Sequence, residues 1–238
     1  MRKLLLILIT CSYVVATQAQ KTVIHDANAE LRADVKGFHG IEVSNAINLY
    51  LSQGDTETVV VSAPEIKWRD RIRTEVKDGI LHIYLENPHF SMGNTKLKAY
   101  VSFTTLDRLE ASGASDIFVD GVIAGDALSV TLSGASDFRG AINVRELRMN
   151  QSGASDAHIT GAVSGTAFFE SSGASDVKGY DLVTQNCKVH ASGASDIRVT
   201  VNKDLSADVS GASSVYYKGD GAARDVHSSG ASTVKKST

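Results

Sequence analysis

The chain has 238 residues, of which 24 are basic and 27 are acidic, so its net charge is −3 with histidine neutral. This balance argues against nucleic acid and against anionic lipid surfaces as main partners. The length suits one large domain or two small ones.

The N-terminus has the features of a secretory signal peptide. The basic pair Arg2 and Lys3 precedes an apolar stretch of 13 residues, and small residues before Gln20 suit cleavage at that point. A membrane-spanning helix needs roughly 20 apolar residues. We therefore predict a signal peptide at 1–19, an N-terminal extension at 20–36, and no transmembrane segment after removal of the signal.

Export places the chain in the periplasm or at the cell surface. A lipoprotein with a lipidated Cys11 is an alternative, although Thr10 is a poor residue to precede such a cysteine. Cleavage would leave Cys187 as the only cysteine, so no intramolecular disulfide could form. We expect Cys187 to be a small buried apolar residue rather than a reactive thiol.

Short strands are predicted across residues 37–105. The dipeptide Asp78-Gly79 has the composition of a hairpin turn. We expect this irregular β region to cap the repeats that follow it, and a separate small β domain is the alternative. The segments with strand character are 38–43, 46–52, 58–62, 72–77, 80–85 and 97–103.

The rest of the chain, residues 106–238, repeats the pentapeptide Ser-Gly-Ala-Ser-Asp at intervals of 18 to 21 residues. Such a period is typical of a solenoid. The residues flanking each copy alternate between apolar and polar, which indicates a strand, a turn and a second strand. The copies lie at 112–116, 133–137, 152–156, 172–176 and 192–196, with variants ending in Ser at 210–214 and in Thr at 229–233.

These observations predict an all-β fold, a right-handed parallel β-helix with coils of about 20 residues. Residues 43–51 also align with 209–217, which places Asn45 at the glycine position and Asn48 at the aspartate position. We interpret Ser44 as the start of an eighth, degenerate corner. This alignment links the irregular region to the repeats.

The sequence from Gly37 to Asp55, the segment KDGILHIYL at 77–85 and the SGASD coils resemble the head GIN-domain family of putative autotransporter adhesins. The resemblance covers about residues 37–220. It implies an exported bacterial protein with a right-handed β-helix fold. It names no ligand and carries over no functional residues.

The serines of the motif are poor candidates for catalysis. A nucleophilic serine needs a base within hydrogen-bond reach and an oxyanion site. No histidine recurs at a fixed offset from the copies, and Ser115 has an equivalent in every one of them. We therefore predict a structural corner and no catalytic residues, and we expect no cofactor.

The aspartates of the motif could form a cation ladder, because stacked carboxylates repel one another and calcium could bridge them. Each corner supplies only one carboxylate, however, and the last two copies replace it by a hydroxyl. A turn in which the side chain accepts a backbone N–H bond explains Asp, Ser, Thr and Asn together. The ladder residues are Asp116, Asp137, Asp156, Asp176 and Asp196.

The outward strand positions show no regular aromatic stripe in the sequence, and Phe168 and Tyr216 look isolated. Trp68 suits a packed residue of the cap, with an exposed ligand contact as the alternative. We predict a non-enzymatic binding, adhesion or scaffolding protein whose partner is an envelope protein or glycan. A polysaccharide-acting β-helix enzyme with a site in the N-terminal half is the alternative, and end-to-end self-association is expected from an exposed terminal coil.

Overall fold

A computed structural model describes residues 26, 28–87 and 96–237, so the predicted signal peptide and Cys11 lie outside the described residues. The predicted all-β solenoid with an irregular N-terminal β region is confirmed. Coils of about 20 residues make about six turns.

Five long strands build the regular coils. Each pairs in parallel with the strand that follows it along the chain, for example with Phe138 opposite Ala157 and Asp176 opposite Asp196. One corner motif separates each strand from the next. The strands are β9 (Ile117–Leu132), β10 (Phe138–Gln151), β11 (Asp156–Ser171), β12 (Asp176–Ala191) and β13 (Asp196–Val209), after which β14 (Ser214–Lys218), β15 (Ala222–Ser228) and β16 (Thr233–Lys236) complete the stack.

Between two corners the strand is continuous rather than divided by a second turn. Its bends fall at shifts of register, for example between Arg139 and Ala141 and between His158 and Gly161. Gly121 and Gly161 have φ of +84° and +106°, a conformation that glycine adopts without steric cost. Each coil therefore turns once at its SGASD corner and again through irregularities within the strand.

The alternating pattern fills the interior of the coils. For the six corners that begin at Ser112 to Ser210, the residue three positions before the corner lies inside, and the residue directly after the corner lies inside as well. Full burial of such an apolar side chain contributes roughly 1.5–3 kcal/mol. The first set includes Leu109, Val130, Met149, Phe169, Val189 and Ala207, and the second includes Ile117, Phe138, Ala157, Val177, Ile197 and Val215.

The N-terminal strands belong to the same sheet. Strand β3 pairs in parallel with the first part of β9, and β8 pairs in parallel with its last part. Strands β7 and β2 extend these two rows, and β6 follows β2. The bounds are β1 (Glu30–Leu31), β2 (Gly40–Val43), β3 (Ile47–Gln53), β4 (Thr58–Ser62), β5 (Ile72–Lys77), β6 (Ile80–Leu85), β7 (Leu97–Phe103) and β8 (Arg108–Ala111).

Three strand pairs at the N-terminal end are antiparallel. Strand β4 runs antiparallel to β7, β1 antiparallel to β4, and β5 antiparallel to β6. The β5–β6 turn is the predicted hairpin, with Asp78 and Gly79 at φ of +50° and +75°. A short helix, α1 (Ile66–Arg69), follows β4 in a segment for which no helix is predicted from the sequence.

The alignment of Ser44 with the corners is confirmed. Leu49 lies opposite Ile117 in register, and the Ser112 N–H donates to the Val43 carbonyl at 3.0 Å. Asn45 has φ of +63°, as the glycines of the other corners do. Among the described residues, no helix has the length and apolar character needed to cross a bilayer.

Candidate functional site on the outward strand faces

The corner motif is held together by its backbone. Its glycines have φ between +74° and +83°. The Ala154 N–H donates to the Gly134 carbonyl at 2.8 Å, and a Cβ on Gly153 would lie only 2.4 Å from the same oxygen. Glycine is required here because successive corners approach one another at their backbones.

The second serine of each corner completes the stacking inside the solenoid. The Ser175 hydroxyl is fully buried, donates to the Ser172 carbonyl at 3.1 Å and accepts from the Ser155 N–H at 3.4 Å. Both of its roles are therefore taken by backbone groups of its own corner and of the corner before it. The Ser175 hydroxyl is thus engaged by backbone groups and not by a general base.

The motif aspartates stack in register, and their carboxylates accept backbone hydrogen bonds. The Asp137 N–H donates to Asp116 Oδ1, the Asp156 N–H to Asp137 Oδ1, and the Asp196 N–H to Asp176 Oδ1, each at 3.3 Å. The side chain therefore accepts a backbone N–H, as predicted, but the bond joins equivalent residues of successive coils and does not lie within one turn.

Three cations further neutralise the row of motif aspartates. Among the described residues, no group of three or more His, Cys, Asp or Glu side chains is close enough to hold a metal ion. Burial, with the negative charge of Asp137 adding to it, raises the pKa of Asp116. The ion pairs are Arg139–Asp137 at 3.1 Å, Lys178–Asp156 at 3.2 Å and Arg198–Asp196 at 3.0 Å.

An aromatic stack of three rings lies on the outward face just after the corners. Two of the rings come from the N-terminal strands and one, Phe118, from the coils. The Tyr50 ring lies 4.9 Å from that of Tyr100 and 5.1 Å from that of Phe118, with interplanar angles of 19° and 17°. Strand β7 brings Tyr100 beside β3, which neighbouring sequence does not reveal. Because the rings face one another, their edges rather than their faces point to solvent.

The aromatic stack is anchored at its N-terminal end by Asp26. The Tyr100 hydroxyl donates to Asp26 Oδ2 at 2.5 Å, and Lys98 Nζ lies 2.9 Å from the same oxygen. Burial, followed by this hydrogen bond, raises the pKa of Tyr100 to about 12. The Tyr100 bond and then the Lys98 bond lower the pKa of Asp26. The contact attaches the N-terminal extension to the sheet.

On the other part of the coils, Arg148 stacks on Phe168. The Arg148 guanidinium carbon lies 4.3 Å from the ring centre, and His190 lies on the same ring with centroids 5.4 Å apart. Phe168, which looks isolated in the sequence, is therefore the centre of a cluster. Neighbouring strands supply its three members, because β10, β11 and β12 are adjacent in the sheet.

Arg148 differs from the other arginines in the described part of the chain. Each of those others donates to, or pairs with, a carboxylate or a backbone carbonyl, as Arg145 does with Asp126 and Arg71 with the Glu86 carbonyl. Within residues 26, 28–87 and 96–237, the Arg148 guanidinium makes only the ring contact. A planar, ring-supported fork of N–H donors is therefore available for an outside carboxylate.

A depression of about 370 Å³ lies beside this guanidinium. Its lining combines apolar side chains with hydroxyl and carboxylate groups. A second, shallower depression of about 300 Å³ lies between Arg139 and His158. The first depression is lined by Asp107, Ala127, Leu128, Ser129, Glu146, Leu147, Arg148, Thr166 and Phe168.

The two other residues singled out in the sequence are packed. Cys187 is buried, and burial raises the pKa of its thiol to about 12, so it is not a reactive thiolate. Trp68 is half-buried against the core, with Lys67 and Arg71 over its ring at 5.6 and 5.3 Å. It stands on α1, within the cap.

Residues 37–221 match the family described as "Putative auto-transporter adhesin, head GIN domain". The fold is similar to that of a putative adhesin from Bacteroides fragilis, at 20% identity and a TM-score of 0.80 over 87% of this chain and 96% of that chain. It is also similar to a putative lipid binding protein from Parabacteroides distasonis, at 18% identity and a TM-score of 0.67 over 89% and 97%.

A putative adhesin from Parabacteroides merdae is similar at 15% identity and a TM-score of 0.63, over 90% of this chain and 97% of that chain. No curated protein matches the chain. At these identities the likeness to solved structures shows the fold.

Proposed function

The chain belongs to the head GIN-domain family of putative autotransporter adhesins, and on this premise we propose that it is a non-enzymatic binding protein of the bacterial envelope. The family implies an exported bacterial protein. We place it in the periplasm or at the cell surface, where it would bind, adhere or act as a scaffold. A regular stack of coils provides a rigid surface for such a role.

The observation that carries the proposal is the unpaired guanidinium of Arg148 on the Phe168 ring. Its available donors suit a carboxylate, and a charge-assisted bond of this kind contributes about 1.5–3 kcal/mol. The apolar part of the lining suits the carbon face of a sugar ring, and Ser129, Thr166 and Glu146 of the same lining suit its hydroxyls. We therefore propose an acidic envelope glycan as the ligand.

The enzymatic alternative has less support. A glycan-cleaving site would need a general acid with a raised pKa beside a second carboxylate. In the described part of the N-terminal half, the carboxylates with shifted pKa values are Asp26 and Glu65, and both pKa values are lowered. Glu65 is held by Lys67 and Asp26 by Tyr100 and Lys98, which is the pattern of ordinary ion pairs.

A glycan array with the mature chain, residues 20–238, tests the proposal. We expect binding to glycans that carry uronic or sialic acids, and loss of binding when their carboxyl groups are methyl-esterified. The variant Arg148→Gln should weaken binding about 10- to 100-fold, which corresponds to the loss of one charge-assisted hydrogen bond.

Arg139→Gln is the matched control, and it is used instead of Arg145→Gln because Arg145 holds Glu146 of the depression. It removes the same charge from the same strand, but Arg139 is paired with Asp137 and does not line this depression, so we expect wild-type binding. Equal binding by wild type and Arg148→Gln would reject the site. Absence of any glycan binding would reject the ligand class.

A further inference from the structure

The two ends of the solenoid differ in how their outermost strands are paired. At the N-terminal end, β1, β4 and β5 run antiparallel to their neighbours. At the other end, β15 runs parallel to β13, and among the described residues nothing pairs with its far edge. Every residue of β15 is exposed. An unpaired edge of this kind is a template for another strand.

An interior position of the solenoid is left uncovered in β15. Val226 lies opposite Ala207 and continues the apolar row found three residues before each corner. The residues of that row in earlier coils are at most 1% exposed, whereas Val226 is 38% exposed. The apolar row therefore reaches the last coil without a neighbour to bury it.

The outward row beside Val226 alternates between carboxylate and imidazole side chains. Glu170, His190, Asp208 and His227 follow one another in register across four coils. His190 Nδ1 lies 3.9 Å from Asp208 Oδ2. A carboxylate from outside would continue this alternation if it were placed next to His227.

We propose that two copies of the chain pair tail to tail through antiparallel β15 strands, with a two-fold axis passing through Val226. In an antiparallel pair centred on one residue, the residue before the centre faces the residue after it on the other strand. Asp225 then faces the partner subunit's His227, and Arg224 faces the partner subunit's Ser228. The two copies of Val226 meet in the interior and cover each other.

This arrangement makes a closed dimer and not a filament. Head-to-tail growth would need a free edge at the N-terminal end that continues the parallel stack, and the antiparallel strands β4 and β5 occupy that end. A two-fold interface uses the same surface from both copies and leaves nothing free for a third. End-to-end self-association is thus restricted to one end.

The test is sedimentation velocity of the mature chain, residues 20–238, over a range of concentrations. Because one coil end gives an interface at the small end of known sizes, we expect a concentration-dependent monomer–dimer equilibrium with no larger species. His227→Glu places a carboxylate against the partner subunit's Asp225, and we expect at least a tenfold weaker dimer. Adding Asp225→Lys to that variant should restore the dimer, because opposite charges then face each other across the axis.

Recovery in the double variant is the decisive result, since a merely structural role of either residue would not be rescued by changing the other. Circular dichroism of each variant checks that it is folded. A monomer at all concentrations would overturn the proposal. Species larger than a dimer, or a double variant no better than His227→Glu, would also overturn it.

Discussion

The N-terminal region and the regular coils contain similar strands but pair them at very different distances along the sequence. In the coils, each strand pairs with the next one, as with Ala157 and Val177. In the N-terminal region, Leu49 pairs with Ile117, and the intervening chain supplies the strands that extend and end the stack. The repeated motif therefore determines how the coils stack. Strands that run antiparallel to their neighbours end the stack at the N-terminal end.

The two regions differ most clearly in how closely the backbone packs against the glycine of the corner. Gly153 is stacked on Gly134, whereas Gly113 is stacked on the degenerate corner at Asn45. A Cβ on Gly153 would lie 2.4 Å from a carbonyl oxygen, but a Cβ on Gly113 would lie 3.5 Å from its nearest neighbour, the Asn45 nitrogen. The two sites share their φ values to within a few degrees.

The largest effect is therefore expected for Gly153→Asn. Backbone must move to admit the side chain, and we expect a loss of about 4 kcal/mol or more in the free energy of unfolding. Gly113→Asn, the matched control, should cost only about 1 kcal/mol, because asparagine tolerates positive φ. Urea unfolding measures both. Equal losses would mean that backbone stacking does not distinguish the two regions.

A smaller effect is expected for Ser175→Ala. The variant leaves the Ser172 carbonyl and the Ser155 N–H without their buried hydroxyl partner, and we expect a loss of about 2 kcal/mol. Ser172→Ala serves as control. Its hydroxyl is half-buried and donates once, to the Gln151 carbonyl at 3.3 Å, so its loss should stay below about 1 kcal/mol. A neutral Ser175→Ala would show that the buried hydroxyl does not support the stack.

The smallest expected effect is the dependence of stability on pH. Asp116 in the coils and Asp26 in the N-terminal region contribute to it with opposite signs. The raised pKa of Asp116 means that the folded state binds its proton more tightly than the unfolded chain does. Its contribution to stability thus falls as pH rises from the ordinary carboxyl pKa of 3.8 to the raised value. The lowered pKa of Asp26 has the reverse result, so its stabilising contribution is lost as pH falls below 3.8.

Unfolding of Asp116→Asn and Asp26→Asn across acidic pH measures this difference. Asp116→Asn should remove a decline in stability with rising pH, and Asp26→Asn should remove a decline with falling pH. If both variants changed the pH profile in the same direction, the environments assigned to the two carboxylates would be incorrect.

The coils can be predicted from the sequence because the residues that define each corner and its strands lie next to one another along the chain. Each SGASD copy marks a corner, and the alternation beside Val130 and Ile117 marks the strands. The second bend is not predictable in the same way, because register shifts such as the one near Gly161 have no fixed motif.

The candidate site could be predicted only in part. Phe168, Arg148 and His190 are separated by 20 and 22 residues, and only the register of β10, β11 and β12 shows that they are neighbours. The repeat period sets Arg148 opposite Phe168, so aligning the coils could have found that pair. The same alignment sets Lys188 opposite Phe168 and His190 opposite Glu170, so it could not have found the His190 contact. The Tyr50–Tyr100 contact could not have been found, since it depends on β7 entering the stack beside β3.

The central claim is that the repeated corner is a structural turn and that binding belongs to the outward faces. Thermal unfolding of the mature chain, residues 20–238, in excess calcium and in a chelator tests it most directly. We predict the same melting temperature in both, because backbone N–H groups and cationic side chains already satisfy the motif carboxylates. If a calcium site existed, free calcium at 100 times its Kd would raise the free energy of unfolding by about 2.7 kcal/mol. A large calcium-dependent rise in melting temperature that is lost on replacing all five motif aspartates by asparagine would contradict the claim.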